Sequence, residues 1–187
     1  PKNKVLGIIG MGGIGRAVFE RVRPFGFEKI VYYNRSRLSE SLERGAIYVS
    51  LERLLEVADV ISLHCPLNGT TRHLLNDERI QRMKNGVVIV NTARGAVIDE
   101  LALVKHLKSG KIASAGLDVF EYEPCVSREL LDLPSVLTLP HMGTQAVQTI
   151  KEMEECVVKN IYSGITTGKV KTLVREQRPF FAEAYES

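Results

Sequence analysis

Short apolar runs alternate with amphipathic ones along this chain. Val5–Ile9 is apolar throughout, and Lys29–Tyr33 nearly so. A continuous apolar run predicts a strand covered on both faces, whereas a half-solvated strand would alternate. Between them, Ile14, Ala17, Val18 and Val22 recur at helical spacing over Ile14–Arg23, and Pro24 ends the run. The alternation continues with a short helix over Ser39–Arg44, a strand over Ala46–Val49 and a helix over Leu51–Ala58. A strand over Asp59–His64, a loop over Pro66–Thr71, a helix over Asn76–Met83 and a strand over Val87–Val90 follow. A helix over Glu100–Ser109 stops at Gly110, and strands over Ile112–Val119 and Ser135–Leu139 complete the pattern. Strands separated by helices of this length predict βαβ units: an α/β fold with a doubly wound parallel sheet and right-handed crossovers. From Thr144 to Ile165 the pattern becomes one long helix, and the residues after it carry no period and predict an extended tail.

Composition narrows the function. With 44% hydrophobic and 25% charged residues among 187, a packed core is expected and wholesale disorder is excluded. No stretch of roughly 18 apolar residues is present, so no membrane span is expected. The 25 Lys and Arg against 22 Asp and Glu leave a net charge of +3, too little for a nucleic-acid surface. Cys65, Cys125 and Cys156 are far apart and lack CxxC spacing, which predicts reduced cysteines with no metal, as in a cytoplasmic protein. Pro1-Lys2-Asn3-Lys4 does not resemble a targeting leader.

Gly10-Met11-Gly12-Gly13-Ile14-Gly15 fits GxGxxG, with a predicted strand running into it and a predicted helix leaving it. In that context Gly10 makes the tight turn, Gly12 admits backbone to a pyrophosphate, and Gly15 lets helix and strand pack closely. The helix N-terminus offers free N–H groups and a partial positive charge to the phosphates. At the end of the next strand, where an NAD-specific site places Asp or Glu on the ribose hydroxyls, this chain has Asn34 followed by Arg35, Ser36 and Arg37. Neutral Asn34 does not repel an added phosphate, Arg35 can pair with it, and Ser36 can add a hydroxyl. The cofactor expected is NADP(H), with NAD(H) as the second possibility.

Three further segments fall at the carboxyl ends of predicted strands, where open parallel sheets bind ligands. They are Val90-Asn91-Thr92-Ala93-Arg94-Gly95, Gly116–Pro124 and Leu139-Pro140-His141-Met142-Gly143-Thr144. An Arg, a Glu and a His are thereby expected at one sheet edge. Glu121 and Glu123 are both candidates for the Glu, and periodicity does not choose between them. His64, His73 and His106 lack such company and read as structural.

These motifs, in this order, resemble the D-isomer-specific 2-hydroxyacid dehydrogenase family over essentially the whole chain. Within it the similarity is greatest to fungal glyoxylate reductases, in segments such as Val87–Glu100 and Ala115–Pro124. The resemblance implies a Rossmann-like dinucleotide-binding domain over residues 1–143, with 144–187 as a helix and tail of a substrate domain. It implies that Arg94 binds the carboxylate and carbonyl of a 2-oxo acid, that His141 donates the proton, and that Glu123 pairs with His141. Asp118 would hold the nicotinamide carboxamide, Thr92 and Ala93 would line its pocket, and Cys65, Pro66 and Thr71 would border the adenosine and pyrophosphate. Gly10, Gly12, Gly13, Ile14, Gly15 and Gly143 complete the implied cofactor contacts. Homodimerisation through the cofactor domain is implied as well. Formate dehydrogenases of the superfamily carry Gln as the histidine's partner, so Glu123 argues for proton transfer accompanying hydride transfer.

The chemistry asks for the same groups. An Arg can fork onto a carboxylate and stabilise developing oxyanion charge, and a His titrates near working pH. The expectation is an oxidoreductase acting on glyoxylate or hydroxypyruvate. Phosphohydroxypyruvate or a longer 2-oxo acid is the same-class alternative, and a dinucleotide-sensing corepressor-like module is the alternative from another class. In the family the cofactor domain is inserted into the substrate domain. Only the later piece of that domain is read here, so this stretch by itself is expected to bind NADP and turn over poorly.

Overall fold

In the computed structural model, which describes residues 1–174, the apolar runs form a seven-stranded parallel sheet. In chain order the elements of its unit are β1 (Val5–Ile9), α1 (Gly13–Val22), β2 (Lys29–Tyr33), α2 (Glu40–Glu43), β3 (Ile47–Tyr48), α3 (Leu51–Val57) and β4 (Val60–Leu63). Then come α4 (Asp77–Arg82), β5 (Val87–Asn91), α5 (Glu100–Lys108), β6 (Ile112–Leu117), α6 (Arg128–Leu131) and β7 (Val136–Thr138). The sheet order is β3-β2-β1-β4-β5-β6-β7, so the winding reverses between β1 and β4. Such a reversal opens a crevice at the carboxyl edge of the sheet.

Both faces are covered, which explains the continuous apolar runs. Leu6 and Ile8 of β1 join Phe19 of α1 and Tyr32 of β2 in one core. Ile9, Val31, Ile61 and Leu63 join Leu51, Leu54 and Leu55 of α3 and Leu103 and Leu107 of α5 in the other. Each fully buried Leu or Ile contributes about 1.5–3 kcal/mol from removal of apolar surface from water. Helix starts are set by side chains: Ser50 accepts from the Arg53 amide, Asn76 from Arg79 and Asp99 from Ala102. Each such cap is worth about 1 kcal/mol.

The register lines up the strand ends. Ile9 stands beside Tyr33 and Leu63, Leu63 beside Asn91, Asn91 beside Leu117, and Leu117 beside Thr138. The loops after β2, β1, β4, β5, β6 and β7 therefore all leave from one row.

The structure departs from expectation in places. Ile14, read as part of the apolar stripe of α1, is 69% exposed, while Phe19 is buried. The first-turn residue that faces the sheet is Gly15, which has no side chain to register in a hydrophobic pattern. The helix α6 leaves no signal in the sequence, because a single turn with one buried residue, Leu130, has no period to detect. One-turn 3₁₀ segments at Arg23–Phe25 and Gly95–Val97 are likewise too short to show.

This first compact unit runs from Pro1 to His141, and a second begins at Met142. The second contains one long helix, α7 (Val147–Thr167), with no buried residue. It ends at Gly168, whose φ of 70° is the left-handed conformation that closes helices. The tail expected after it falls largely outside the described residues. No helix among them is long and apolar enough to cross a membrane.

Candidate active site

The glycine loop is held by contacts that only glycine permits. Gly10 has φ +98°, and a Cβ there would lie 2.5 Å from the Cys65 amide nitrogen. The turns after β1 and β4 are thus pressed together at the point of reversal. A Cβ on Gly15 would lie 2.2 Å from the Gly10 carbonyl oxygen, so the loop folds back on the first turn of α1. Around Gly12 and Gly13 the space is open. Gly12 caps α1 without a side-chain hydrogen bond, and the first turn has no acidic residue. First-turn amides have no intrahelical acceptor, so this open cradle of donors fits a pyrophosphate.

The surroundings of that cradle are tied down. Asn34 Oδ1 accepts from the Met11 amide at 2.6 Å, linking the end of β2 to the glycine loop. Cys65 is buried, and burial pushes its thiol up from its ordinary pKa. Thr71 donates to the Pro66 carbonyl at 2.6 Å and accepts from the Asn68 amide, so its hydroxyl closes the exposed loop that begins at Pro66. Arg35 and Ser36 stand exposed beyond Asn34.

On the other side of the crevice, β5 ends in Asn91, a buried polar residue closing an apolar strand. Its side chain accepts from the Ala93 amide and donates to the Arg94 carbonyl, both at 3.0 Å. Asn91 thus wraps the turn that presents Thr92, Ala93 and Arg94. No role is assigned to it from sequence, although an Asn after Val87-Val88-Ile89-Val90 is the signal that could have found it. Gly95 completes the placement. A Cβ there would fall 1.9 Å from the Phe120 carbonyl carbon, so only glycine lets the Arg94 turn lie against the segment leading to Glu123. Arg94 is exposed and donates to the Ala93 carbonyl.

Geometry separates the two glutamates. Glu121 receives Arg72 and His73, each at 2.8 Å. Glu123 Oε2 meets His141 Nδ1 at 2.8 Å, while its Oε1 accepts from the Phe120 amide at 2.9 Å. These bonds, His141 first, hold the Glu123 carboxyl below the usual range, with the charge of Arg94 adding to the effect. His141 has φ +53°, a left-handed conformation uncommon for a residue with a side chain. Asp118 is buried, and its amide donates to the Asn91 carbonyl. Gly143 falls at the start of the second unit. The remaining histidines have separate partners: His64 bonds Ser62, and His106 bonds Asp77.

Arg94, Glu123 and His141 therefore share the carboxyl edge with the glycine loop. A carboxylate-held imidazole on the same sheet edge as an exposed guanidinium suits proton donation to an anionic, carbonyl-bearing substrate.

The chain is similar to known proteins along most of its length. The family model for the D-isomer specific 2-hydroxyacid dehydrogenase, NAD binding domain, matches residues 1–143. The chain is 57% identical over 176 residues to glyoxylate reductase 1 of Saccharomyces cerevisiae, covering 94% of this chain and 50% of that protein. It is 54% identical over 181 residues to 4-methyl-2-oxopentanoate reductase A of Aspergillus oryzae, covering 97% and 55%. An NADPH-dependent glyoxylate/hydroxypyruvate reductase from Sinorhizobium meliloti, solved with NADP and malonate, superimposes with a TM-score of 0.88. Its identity is 35%, covering 93% of this chain and 54% of that one. The chain spans about half the length of the curated relatives it matches.

Proposed function

Because this chain belongs to the D-isomer specific 2-hydroxyacid dehydrogenase family, we propose that it carries the cofactor site and proton donor of a reductase. Its substrate is a small 2-oxo acid, glyoxylate or hydroxypyruvate, and its cofactor is NADPH in preference to NADH. The observation that carries the reading is the 2.8 Å contact of Glu123 with His141, on the sheet edge that also holds the glycine loop. With Nδ1 engaged by the carboxylate, His141 has Nε2 left to bear the proton given to the carbonyl oxygen. An ionised Glu123 favours the imidazolium and holds the ring's orientation. Arg94 forks onto the substrate carboxylate and faces the charge that develops on the neighbouring oxygen. With its pyrophosphate on the glycine loop, the bound dinucleotide would supply the hydride from its nicotinamide. Gly10, Gly12, Gly13, Ile14 and Gly15 take the pyrophosphate, with Asp118, Thr92 and Ala93 toward the nicotinamide end. The protein acts in the cytoplasm as a homodimer formed through the cofactor domain.

NADPH oxidation followed spectrophotometrically at full length tests the reading, with glyoxylate, hydroxypyruvate and 4-methyl-2-oxopentanoate as substrates. The expected result is turnover with the two small acids at a kcat/KM above that for 4-methyl-2-oxopentanoate. The opposite order would assign a larger side-chain pocket. Tight dinucleotide binding with no turnover of any 2-oxo acid would overturn the enzyme in favour of a nucleotide-sensing module.

A further inference from the structure

The loop between β2 and α2 is tethered at both ends and free in the middle. At its start, Asn34 Oδ1 accepts from the Met11 amide at 2.6 Å, and the Asn34 carbonyl accepts from the Tyr48 hydroxyl at 3.3 Å. At its far end, the Tyr32 hydroxyl accepts from the Leu38 amide at 3.0 Å and donates to Glu43 Oε1 at 2.6 Å. Arg37 closes the same end through two bonds, Nε to Oε1 at 2.8 Å and Nη2 to Oε2 at 3.0 Å. Glu43 and Tyr32 are buried. A buried carboxylate is retained at such a site only when its lone pairs are met, and here three donors meet them. Between the tethers, Arg35 and Ser36 are exposed, and the Arg35 side chain has no hydrogen-bond or ion-pair partner among the described residues. Both arginines of this loop are exposed, but Arg37 has its charge met by Glu43 and Arg35 has no such partner among the described residues.

We propose that Tyr32, Arg37 and Glu43 form a positioning cluster that holds Arg35 and Ser36 to receive the 2′-phosphate of NADPH, with Arg37 a strut and not a phosphate ligand. The proposal rests on the NADPH preference stated above and adds what sets it. A guanidinium on an untethered loop loses conformational freedom when it binds, and a loop already held loses less. Arg37 has Nε and Nη2 already engaged by Glu43, which neutralises its charge locally and fixes its fork on the carboxylate. The positioning residues thus act on the phosphate only through Arg35 and Ser36.

The test is isothermal titration of the full chain with 2′,5′-ADP and with 5′-ADP, probes that separate the phosphate from the chemistry of turnover. The wild-type chain is expected to bind 2′,5′-ADP more tightly, and Arg35→Ala to abolish the difference. Glu43→Gln and Tyr32→Phe are each expected to weaken 2′,5′-ADP about five- to tenfold while leaving 5′-ADP within about twofold. In an Arg35→Ala background the Glu43→Gln effect is expected to vanish. Tyr32→Phe removes one oxygen from the core and serves if Glu43→Gln does not fold. Equal loss for both probes, or a Glu43→Gln effect that survives Arg35→Ala, would show a merely structural cluster. Tighter 2′,5′-ADP binding by Glu43→Gln would show that Arg37, once released, reads the phosphate itself, and would overturn its role as a strut. Failure of the wild-type chain to prefer 2′,5′-ADP would remove the cofactor preference and this proposal with it. A preference that none of the cluster variants alters would remove the proposal alone.

Discussion

Two carboxylates flank the crevice, and they are built for opposite ends. On the β2 side Glu43 leaves 7% of its side chain exposed and is met by Arg37, a cation that does not titrate, and by the Tyr32 hydroxyl. On the β6 side Glu123 leaves 35% exposed and is met by the imidazole of His141, itself 49% exposed. Both carboxyls sit below their ordinary pKa, Glu43 at about 2. Depression alone therefore says nothing of role. What differs is the burial of the carboxylate and the chemistry of its partner: the buried Glu43 is met by a guanidinium that stays charged, and the more exposed Glu123 by an imidazole.

The comparison is sharpened most by removing the titratable partner. His141→Asn is expected to lower kcat for glyoxylate by about 10³-fold while leaving the dinucleotide Kd within about twofold. Stopped-flow single turnovers and fluorescence titration check the two halves, and a matching loss of binding would place His141 in the cofactor site instead. Arg94→Lys keeps the charge but loses the fork. It is expected to lower kcat/KM for the 2-oxo acid by about a hundredfold, and steady-state rates that fall by less than about threefold would show that Arg94 does not grip the carboxylate.

The smallest effects belong to the closed pair. Glu43 has a folded pKa of about 2 against an ordinary 4.5. Its contribution to stability is present above about pH 4.5 and is lost as pH falls toward 2. Tyr32 is pushed up to about 12 from 10, chiefly by burial and then by Glu43, so its contribution is present below pH 10 and is lost as pH rises toward 12. Denaturation midpoints measured against pH should therefore flatten on the acid side in Glu43→Gln and on the alkaline side in Tyr32→Phe. Unchanged acid and alkaline limbs would show that neither group is held as described.

How much of this was legible in the amino-acid order follows from where the information sits. The strands could be read because both faces of the sheet are covered, so Val5–Ile9 and Val87–Val90 are apolar without interruption. The face of α1 is legible only in part: Val22 packs against the core as its spacing predicts, but Ile14 is exposed and the buried first-turn residue is Gly15. Arg94 and His141 are visible because each follows a strand in a recognisable motif. Periodicity does not choose between Glu121 and Glu123, because the contacts of Arg72 and His73 with Glu121 come from a distant loop; the family resemblance, with Glu123 before Pro124, does choose. Asn91 and Gly95 lie inside a readable motif, yet their work is local geometry that only backbone contacts reveal. Arg35 and Arg37 look alike in the chain. The fold distinguishes them by returning Glu43 beneath one of them.

The most direct measurement of the central claim is the pH dependence of kcat/KM for glyoxylate with NADPH at full length, in wild type, Glu123→Gln and Glu43→Gln. The account predicts that Glu123→Gln moves the alkaline limb to lower pH, since the imidazolium loses its carboxylate. It predicts that Glu43→Gln leaves that limb in place and raises only the KM for NADPH. An alkaline limb unmoved by Glu123→Gln, or moved equally by both substitutions, would contradict it.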